Sequence, residues 1–272
     1  MIVRLALALI LSVCVGAAYA NGIRLDGNLI QGGLALGSAP PGTGIRLNER
    51  PVRVADDGGF VFGFGRDAPS QATLHIRYLD GSREAMPLQV RTRRYETQRI
   101  NGLPDRMVTP SAKALTRIRQ ENSRIAAARR LDTDQSYYRT GFIWPVIGTI
   151  TGVYGSSRML NGEPRRPHYG IDIAAGTGTP VHSPADGIVA LAEADLYFTG
   201  GTVMIDHGFG VTTVLSHLGS IDVGVGQPVR QGDVVGTVGA TGRVTGPHLD
   251  WRVNWFEVRL DPALLVPEMP KR

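Results

Sequence analysis

Glycine and proline constrain this chain more than any other residues do. Glycine accounts for 35 of the 272 residues and proline for 17, so glycine lies well above its usual share of about 7%. Both residues interrupt helices, because glycine has a large backbone entropy to lose and proline lacks the backbone N–H donor. The composition therefore predicts a mainly β protein of short strands joined by tight turns.

The first 20 residues form a segment of different character. Arg4 is their only charge, an apolar run follows it, and Ala18-Tyr19-Ala20 has the small-x-small pattern of a cleavage site. The apolar run is short for a membrane span. We predict a cleaved signal peptide at 1–20 and a periplasmic or extracellular protein without stable membrane insertion; a retained anchor is the alternative.

Cysteine and charge narrow the classes of site and partner. Cys14, the only cysteine, lies inside the predicted signal, so a metal site in the mature protein would have to use His, Asp or Glu. The net charge of +5 is mild and comes almost entirely from arginine, which suits an acidic polymer such as a cell wall. No base-stacking aromatics or recognition motif accompany it, so we predict no nucleic-acid partner. Nothing in the sequence specifies an oligomeric state.

Residues 21–103 alternate between short strands and turn sequences. Asp26-Gly27 and Asp80-Gly81 are turn dipeptides, and Phe60, Phe62 and Phe64 alternate so that three rings share one face of a strand. This spacing predicts a small antiparallel β-sandwich. We find no catalytic cluster here, and His75 reads as an ordinary strand residue, so a spacer or wall-binding role is expected for this accessory domain.

A helical linker is predicted at 104–140, and a second β domain at 141–268. Thr109 has the position of an N-cap and Pro110 that of the first helical residue, with the helix running to about Leu131. From Gly141 onward strand patterns return, separated by frequent glycines. The sequence thus predicts an N-terminal sandwich, a connecting helix and a C-terminal glycine-rich antiparallel β domain.

Five of the six histidines fall between residues 168 and 248. His168 and Asp172 are four residues apart and His248 and Asp250 two apart, spacings that share a face in extended chain. Each pair alone is common on protein surfaces. If one cleft receives both pairs and His217, however, three imidazoles and two carboxylates meet there, which suffices for zinc with three protein ligands and an open position. We expect the other two histidines of this stretch, His182 and His207, to be structural.

The motifs around these residues resemble one family. They are His168-Tyr169-Gly170-Ile171-Asp172, Gly178-Thr179-Pro180-Val181, Ala185-Asp186-Gly187, Ile205-Asp206-His207-Gly208, Ser216-His217-Leu218, Thr241-Gly242 and Gly246-Pro247-His248-Leu249. Together they are similar to the lysostaphin-type zinc peptidases, also called the LytM family, over about 144–262. The resemblance implies an exported metalloendopeptidase that cleaves peptide bonds of peptidoglycan. It also implies that His168 and Asp172 bind Zn²⁺ and that His217 and His248 assist catalysis.

The chain departs from that family at its last metal position. The family has His-x-His, whereas this chain has His248-Leu249-Asp250, so Asp250 is predicted as the third ligand. One His and two Asp ligands balance a dication, which should acidify a bound water less and favour harder ions such as Mn²⁺. The departure leaves an alternative function open: a weak or inactive LytM-type module that binds the wall or activates another wall hydrolase.

Overall fold

The computed structural model describes residues 19–20, 22–102 and 110–270. Most of the predicted signal peptide lies outside these residues. The N-terminal β region contains eight strands in two antiparallel four-stranded sheets, ordered β1-β2-β3-β6 and β5-β4-β7-β8. Their bounds are β1 Tyr19–Ala20, β2 Ile23–Gly27, β3 Leu34–Ser38, β4 Gly44–Leu47, β5 Arg50–Val52, β6 Gly59–Gly63, β7 Gln71–Arg77 and β8 Arg83–Gln89.

Apolar side chains from both sheets form the interior of this region. Phe60, Phe62 and Phe64 are all buried, with ring centroids 6.2 Å apart for the first pair and 5.6 Å for the second. Strand β7 alternates between buried and exposed residues, as expected for a strand with one face on a core. The predicted two-sheet N-terminal architecture is confirmed.

Among the described residues, one α-helix lies between the two β regions. It is α1, Ala112–Arg129, and its N-cap is Ser111, whose Oγ accepts a hydrogen bond from the backbone N–H of Ala114 at 3.3 Å. The predicted start at Pro110 was therefore early, because the serine hydroxyl satisfies the first free amide groups; Thr109 lies outside the described residues. The C-terminal end of α1 packs on the second β region, where Ala128 contacts an apolar cluster with Leu191 and Met204.

The C-terminal domain is a large antiparallel sheet in the order β10-β13-β20-β17-β16-β15-β18, with β21 paired to β20 and β19 joining β14 to β17. A 3-10 helix at Tyr137–Thr140 precedes it. The bounds are β10 Thr149–Gly152, β13 Ile171–Ala174, β14 Pro180–His182, β15 Gly187–Leu196, β16 Gly200–Asp206, β17 Val211–Ile221, β18 Pro228–Val229, β19 Val234–Val238, β20 His248–Trp255 and β21 Val258–Leu260, followed by a 3-10 helix at Pro262–Leu264.

A small separate sheet connects the two β regions. Its order is β12-β11-β9, with β11 at Ser157–Leu160, β12 at Glu163–Arg165 and β9 at Thr97–Ile100. Strand β9 follows the N-terminal sheets in sequence and pairs in parallel with β11 of the C-terminal domain. An ion pair between Arg93 and Asp261, with Nη1 and Oδ2 2.7 Å apart, adds a further link.

The fold is mainly β, with one helix between two β regions, as predicted. The domain limits proposed at residues 103 and 140 stay predictions. Within the described residues no helix is both long enough and apolar enough to cross a membrane.

Candidate metal centre

Two aspartates face each other on neighbouring strands. Strands β13 and β20 are antiparallel, and their register makes Asp172 the direct partner of Asp250. Directly opposed residues place their side chains on the same face of a sheet, and two like charges in that position repel each other. Asp250 is buried and Asp172 is half-buried, so this pair of carboxylates requires cations beside it.

His168 lies next to the two carboxylates and is almost fully buried. Its backbone is fixed on both sides, since its N–H donates to the Ser156 carbonyl at 2.8 Å and its carbonyl accepts from Gly155 at 2.7 Å. Neither ring nitrogen has a hydrogen-bond partner of good geometry among the described residues, although Nε2 lies 3.2 Å from Asp172 Oδ1. Buried polar atoms are normally paired, so this imidazole has an open coordination position.

The three groups fit a divalent metal ion. One ligand atom from each of His168, Asp172 and Asp250 lies within 4.8 Å of the other two. Zinc bonds nitrogen and oxygen at about 2.0–2.2 Å, so ligands around one ion lie up to about 4 Å apart. Small side-chain movements would bring all three to that distance. The Asp250 carboxylate takes the place of the second histidine of the His-x-His pattern.

Two arginines contact the same carboxylates. Arg252 donates to Asp250 from Nε, at 2.9 Å to Oδ1 and 3.1 Å to Oδ2, and also from Nη2 to Oδ2. Arg158 Nη2 lies 2.8 Å from Asp172 Oδ2. Burial acts to raise the pKa of Asp250, but Arg252 and the neighbouring histidines favour the charged form, and their combined effect is larger. The pKa is therefore lowered and the carboxylate stays ionised. Burial likewise opposes ionisation of Asp172, yet its pKa is lowered, with His168 and Arg158 both favouring the charged form.

Arg158 and Arg252 make the net charge of the centre more positive than the sequence predicts. The expectation of a neutral centre counted only the ligands and a dication. With Arg158 and Arg252 in contact, the two carboxylates are already balanced, and a divalent ion would make the centre net positive by two charges. Asp250 therefore does not by itself make the centre weakly polarising. The arginines supply the positive charge that is lost where aspartate replaces the family's histidine.

His217 stands at the edge of this site in a constrained conformation. Its φ is +66°, a left-handed value that is uncommon for residues other than glycine and occurs often at functional sites. Nδ1 lies 2.8 Å from the Thr241 carbonyl oxygen; since a carbonyl only accepts, Nδ1 carries the hydrogen and Nε2 is left to take a proton. Burial lowers the pKa of His217 to about 4, so the ring is neutral at pH 7.

His248 completes the group. Its ring centroid lies 4.8 Å from that of His217, and its Nε2 lies 3.8 Å from Asp172 Oδ1. Nδ1 is 2.9 Å from the Gly246 carbonyl oxygen and donates to it. The two histidines therefore have the same tautomeric constraint, each tied through Nδ1 to a backbone carbonyl.

A cleft of about 180 Å³ opens onto these side chains. Four of the five residues predicted from sequence line it, while His168 lies behind the wall. The lining residues are Gln98, Ile100, Thr151, Arg158, Leu160, Asp172, His217, Arg243, Val244, Thr245, His248 and Asp250. Gln98 and Ile100 belong to β9, so the N-terminal part of the chain contributes one side of the cleft.

Comparison with known proteins places this site in a family. The model of peptidase family M23 matches residues 166–262, the stretch that contains all five residues. A crystal structure from Pseudomonas aeruginosa described as a peptidase M23 is 31% identical, with a TM-score of 0.68, and the match covers 88% of this chain and 95% of that one. The chain belongs to peptidase family M23.

Each of three curated relatives of this M23 protein matches less than half of the chain. The cell division protein DipM of Caulobacter vibrioides is 37% identical over 46% of this chain and 21% of its own length. The DD-carboxypeptidase/endopeptidase Mpg of Neisseria meningitidis is 44% identical over 38% and 24%. The peptidoglycan DD-endopeptidase ShyA of Vibrio cholerae is 41% identical over 40% and 29%. The match thus spans less than a third of each of these relatives.

Two glycines of the M23 domain make room for the carboxylates. A Cβ on Gly152 would lie 2.2 Å from Asp172 Oδ2, and a Cβ on Gly170 would lie 2.7 Å from Asp250 Oδ1 and 2.6 Å from the Trp251 carbonyl oxygen. Both distances are far below van der Waals contact. Gly170 in the motif between His168 and Asp172 is therefore required by the neighbouring strand, where Arg252 Cγ would also lie 2.6 Å from such a Cβ.

Sequence reasoning missed both arginines of the M23 site. Arg252 follows Asp250 by two residues on one strand, so strand periodicity alone places the two on the same face. Arg158 gave no such signal, because β11 reaches the site through a non-local pairing. The expected structural roles of His182 and His207 agree with their contacts: His182 Nδ1 is 2.8 Å from the Gly232 carbonyl, and buried His207 contacts Asp186 and Thr213 through both ring nitrogens.

Proposed function

We propose that this M23 protein is an exported, metal-dependent endopeptidase that cleaves peptide bonds of peptidoglycan. The observation that carries the proposal is the meeting of a buried imidazole, His168, with two carboxylates, Asp172 and Asp250, at one end of a cleft. Two further histidines line the same cleft within reach of the carboxylates. A divalent ion would bind the His168 ring, whose nitrogens make no hydrogen bond of good geometry to the described residues.

His168, Asp172 and Asp250 would hold the metal ion, Zn²⁺ by preference. The chemistry that such an ion supplies when bound is Lewis-acid activation of water and of the scissile carbonyl. His217 is suited to take a proton at Nε2, because it is neutral at pH 7 and its Nδ1–H is held by Thr241. His248 is fixed in the same way by Gly246, so its Nε2 can donate to the substrate oxygen as negative charge develops there only when the ring is an imidazolium, which carries hydrogens on both nitrogens.

The substrate class rests on relatives and on the predicted export. ShyA is named as a peptidoglycan DD-endopeptidase and Mpg as a DD-carboxypeptidase/endopeptidase. The M23 family match at 166–262 contains the histidines and aspartates of the cleft. A wall peptide is accessible to a periplasmic or extracellular enzyme, which is the location that the N-terminal segment predicts. Arg158 and Arg243 in the cleft lining suit an acidic peptide.

Purified sacculi supply the test. Incubation with the protein and Zn²⁺ should release peptide fragments that mass spectrometry identifies, and a chelator should stop the release. His168→Ala should abolish both metal binding and release, whereas His75→Ala, an exposed histidine of strand β7, should leave both unchanged. Failure to release fragments with Zn²⁺, Mn²⁺ or Co²⁺ would contradict the proposal and favour the alternative, a module that binds the wall or activates another hydrolase.

A further inference from the structure

Asp250 gives Arg252 an anionic partner that a histidine at the same position would not provide. Arg252 donates to both oxygens of the carboxylate, a fork that holds its plane as well as its charge. Asp250 is only 2% exposed, so little water screens the pair. Asp250, the proposed third ligand, is thus paired with a counter-ion from its own strand, Arg252.

Without Arg252, the site would contain too much negative charge. Asp172 and Asp250 are directly opposed on adjacent strands, which is unfavourable for two carboxylates. Arg158 contacts only Asp172, with Nη2 2.8 Å from Oδ2. Arg252 is therefore the cation in contact with Asp250 that offsets its charge beside Asp172.

We infer that Arg252 acts as a built-in counter-ion that competes electrostatically with the metal ion for Asp250 and thereby sets the metal affinity of the site. The inference rests on the proposed function, because it assumes that His168, Asp172 and Asp250 hold the metal. Arg252 is a positioning residue, since it acts through Asp250. The guanidinium hydrogen-bonds the carboxylate, and a metal ion at this position would have to share that carboxylate with it.

Removal of Arg252 should change the metal affinity in the opposite direction from removal of a group that accepts a hydrogen bond from a metal ligand. Groups that accept hydrogen bonds from metal ligands raise ligand basicity, and their removal weakens metal binding by about 10- to 100-fold. A cation on a ligand carboxylate lowers its basicity, so its removal should strengthen binding. We expect Arg252→Gln to bind Zn²⁺ at least about 10-fold more tightly than the unchanged protein, because the repulsion between the guanidinium and the dication is removed.

The measurement is a competition of the full chain with a chromophoric chelator for Zn²⁺, which needs no catalytic turnover. Arg252→Lys keeps the charge and loses the fork, so its affinity should stay near that of the unchanged protein. Arg46→Gln removes an exposed arginine that pairs with Glu49 and serves as the matched control. Thermal unfolding supplies a second readout: without metal Arg252→Gln should melt lower, and Zn²⁺ should raise its Tm by more than it raises that of the unchanged protein.

The outcomes separate the inference from the proposed function. Equal or weaker Zn²⁺ binding by Arg252→Gln, with clear binding by the unchanged protein, overturns the inference and leaves the metal site standing. Absence of binding by both proteins overturns the inference and the metal-dependent function together. If Arg252→Gln does not fold without metal, the pair Asp250→Asn/Arg252→Gln removes both charges, and it must bind Zn²⁺ no more tightly than the unchanged protein, because the gain requires the carboxylate. Tighter binding by this double variant overturns the inference.

Discussion

The two β regions of this chain bury different kinds of side chain. Between residues 22 and 91, the buried polar side chains that the structure describes are Gln31 and Thr43, and the interior is otherwise apolar. The C-terminal sheet buries His168, His207 and Asp250 together with several hydroxyl and amide groups. Both regions are antiparallel sheets, so sheet formation does not require the buried charges.

The difference shows which parts of the molecule are under chemical rather than only structural constraint. Burying an ionised carboxylate costs several kcal/mol unless cations offset it, and the apolar N-terminal interior demonstrates that the same type of sheet forms without that cost. The C-terminal domain holds Asp172 and Asp250 opposite each other and offsets them with Arg158 and Arg252. Such an arrangement is expected at a site that performs chemistry.

The largest expected effect is in the C-terminal domain, on the rate of peptide release. His217→Ala should lower the rate by about 10²- to 10⁴-fold, the usual contribution of a positioned proton acceptor. Metal content should be unchanged, since His217 is not one of the three groups that meet at the metal position. Fragment release from sacculi and zinc analysis of the same samples check both halves. Loss of zinc in step with activity would instead make His217 a ligand.

The apolar N-terminal interior should respond in stability and not in chemistry. Phe62 is fully buried between Phe60 and Phe64, so Phe62→Ala should lower the free energy of unfolding by about 3–5 kcal/mol. Leu79→Ala is the control, because Leu79 is 83% exposed and its loss should cost less than about 0.5 kcal/mol. Urea unfolding measures both. Below the melting transition the Zn²⁺ affinity of Phe62→Ala should equal that of the unchanged protein; a large change would mean that the two regions are not chemically separate.

Buried histidine should make the C-terminal domain sensitive to acid. Burial lowers the pKa of His207 from 6.5 to about 4, so between these values the unfolded chain holds more protons than the folded one. The contribution of neutral His207 to the free energy of unfolding is fully present above pH 6.5. It falls by about 1.4 kcal/mol per pH unit as the pH decreases toward 4, about 3 kcal/mol in total. His207→Asn should weaken that dependence, whatever its own cost at pH 7.5. Unfolding free energies at pH 7.5 and 4.5 in both proteins check it, and parallel pH curves would refute it.

A smaller effect is expected from the glycine that makes room for Asp250. Gly170→Ala places a methyl group 2.6–2.7 Å from Asp250 Oδ1 and the Trp251 carbonyl, which should cost about 1–3 kcal/mol and displace the carboxylate, weakening Zn²⁺ binding. Gly224→Ala is the matched control, since a Cβ there meets no atom within 4 Å and its φ is not positive. Thermal melts and chelator competition report the two effects. A fully tolerated Gly170→Ala would show that the packing around Asp250 yields easily.

Much of the fold and the residues of the site could be predicted because their signals are local. Alternation in β7 and the turn dipeptides mark the N-terminal strands, and the spacing of His168 from Asp172 is visible within five residues. The pairing of Asp172 with Asp250 is not local, since it depends on the register of β13 on β20. The same holds for Arg158, and without the arginines the charge of the centre could not be derived. The helix start was misplaced because Thr109 followed by Pro110 has the pattern of a cap and first helical residue, whereas Ser111, a stronger cap by residue type, lies two residues later.

The central claim, that Asp250 completes a metal site with His168 and Asp172, is tested most directly by a crystal structure of the zinc-loaded protein with anomalous scattering at the zinc edge. We predict one ion within about 2.0–2.3 Å of His168 Nε2 and of one oxygen from each aspartate, with Arg252 still donating to the other oxygen of Asp250. An ion bound without Asp250, or no ion between these three side chains, would contradict the account.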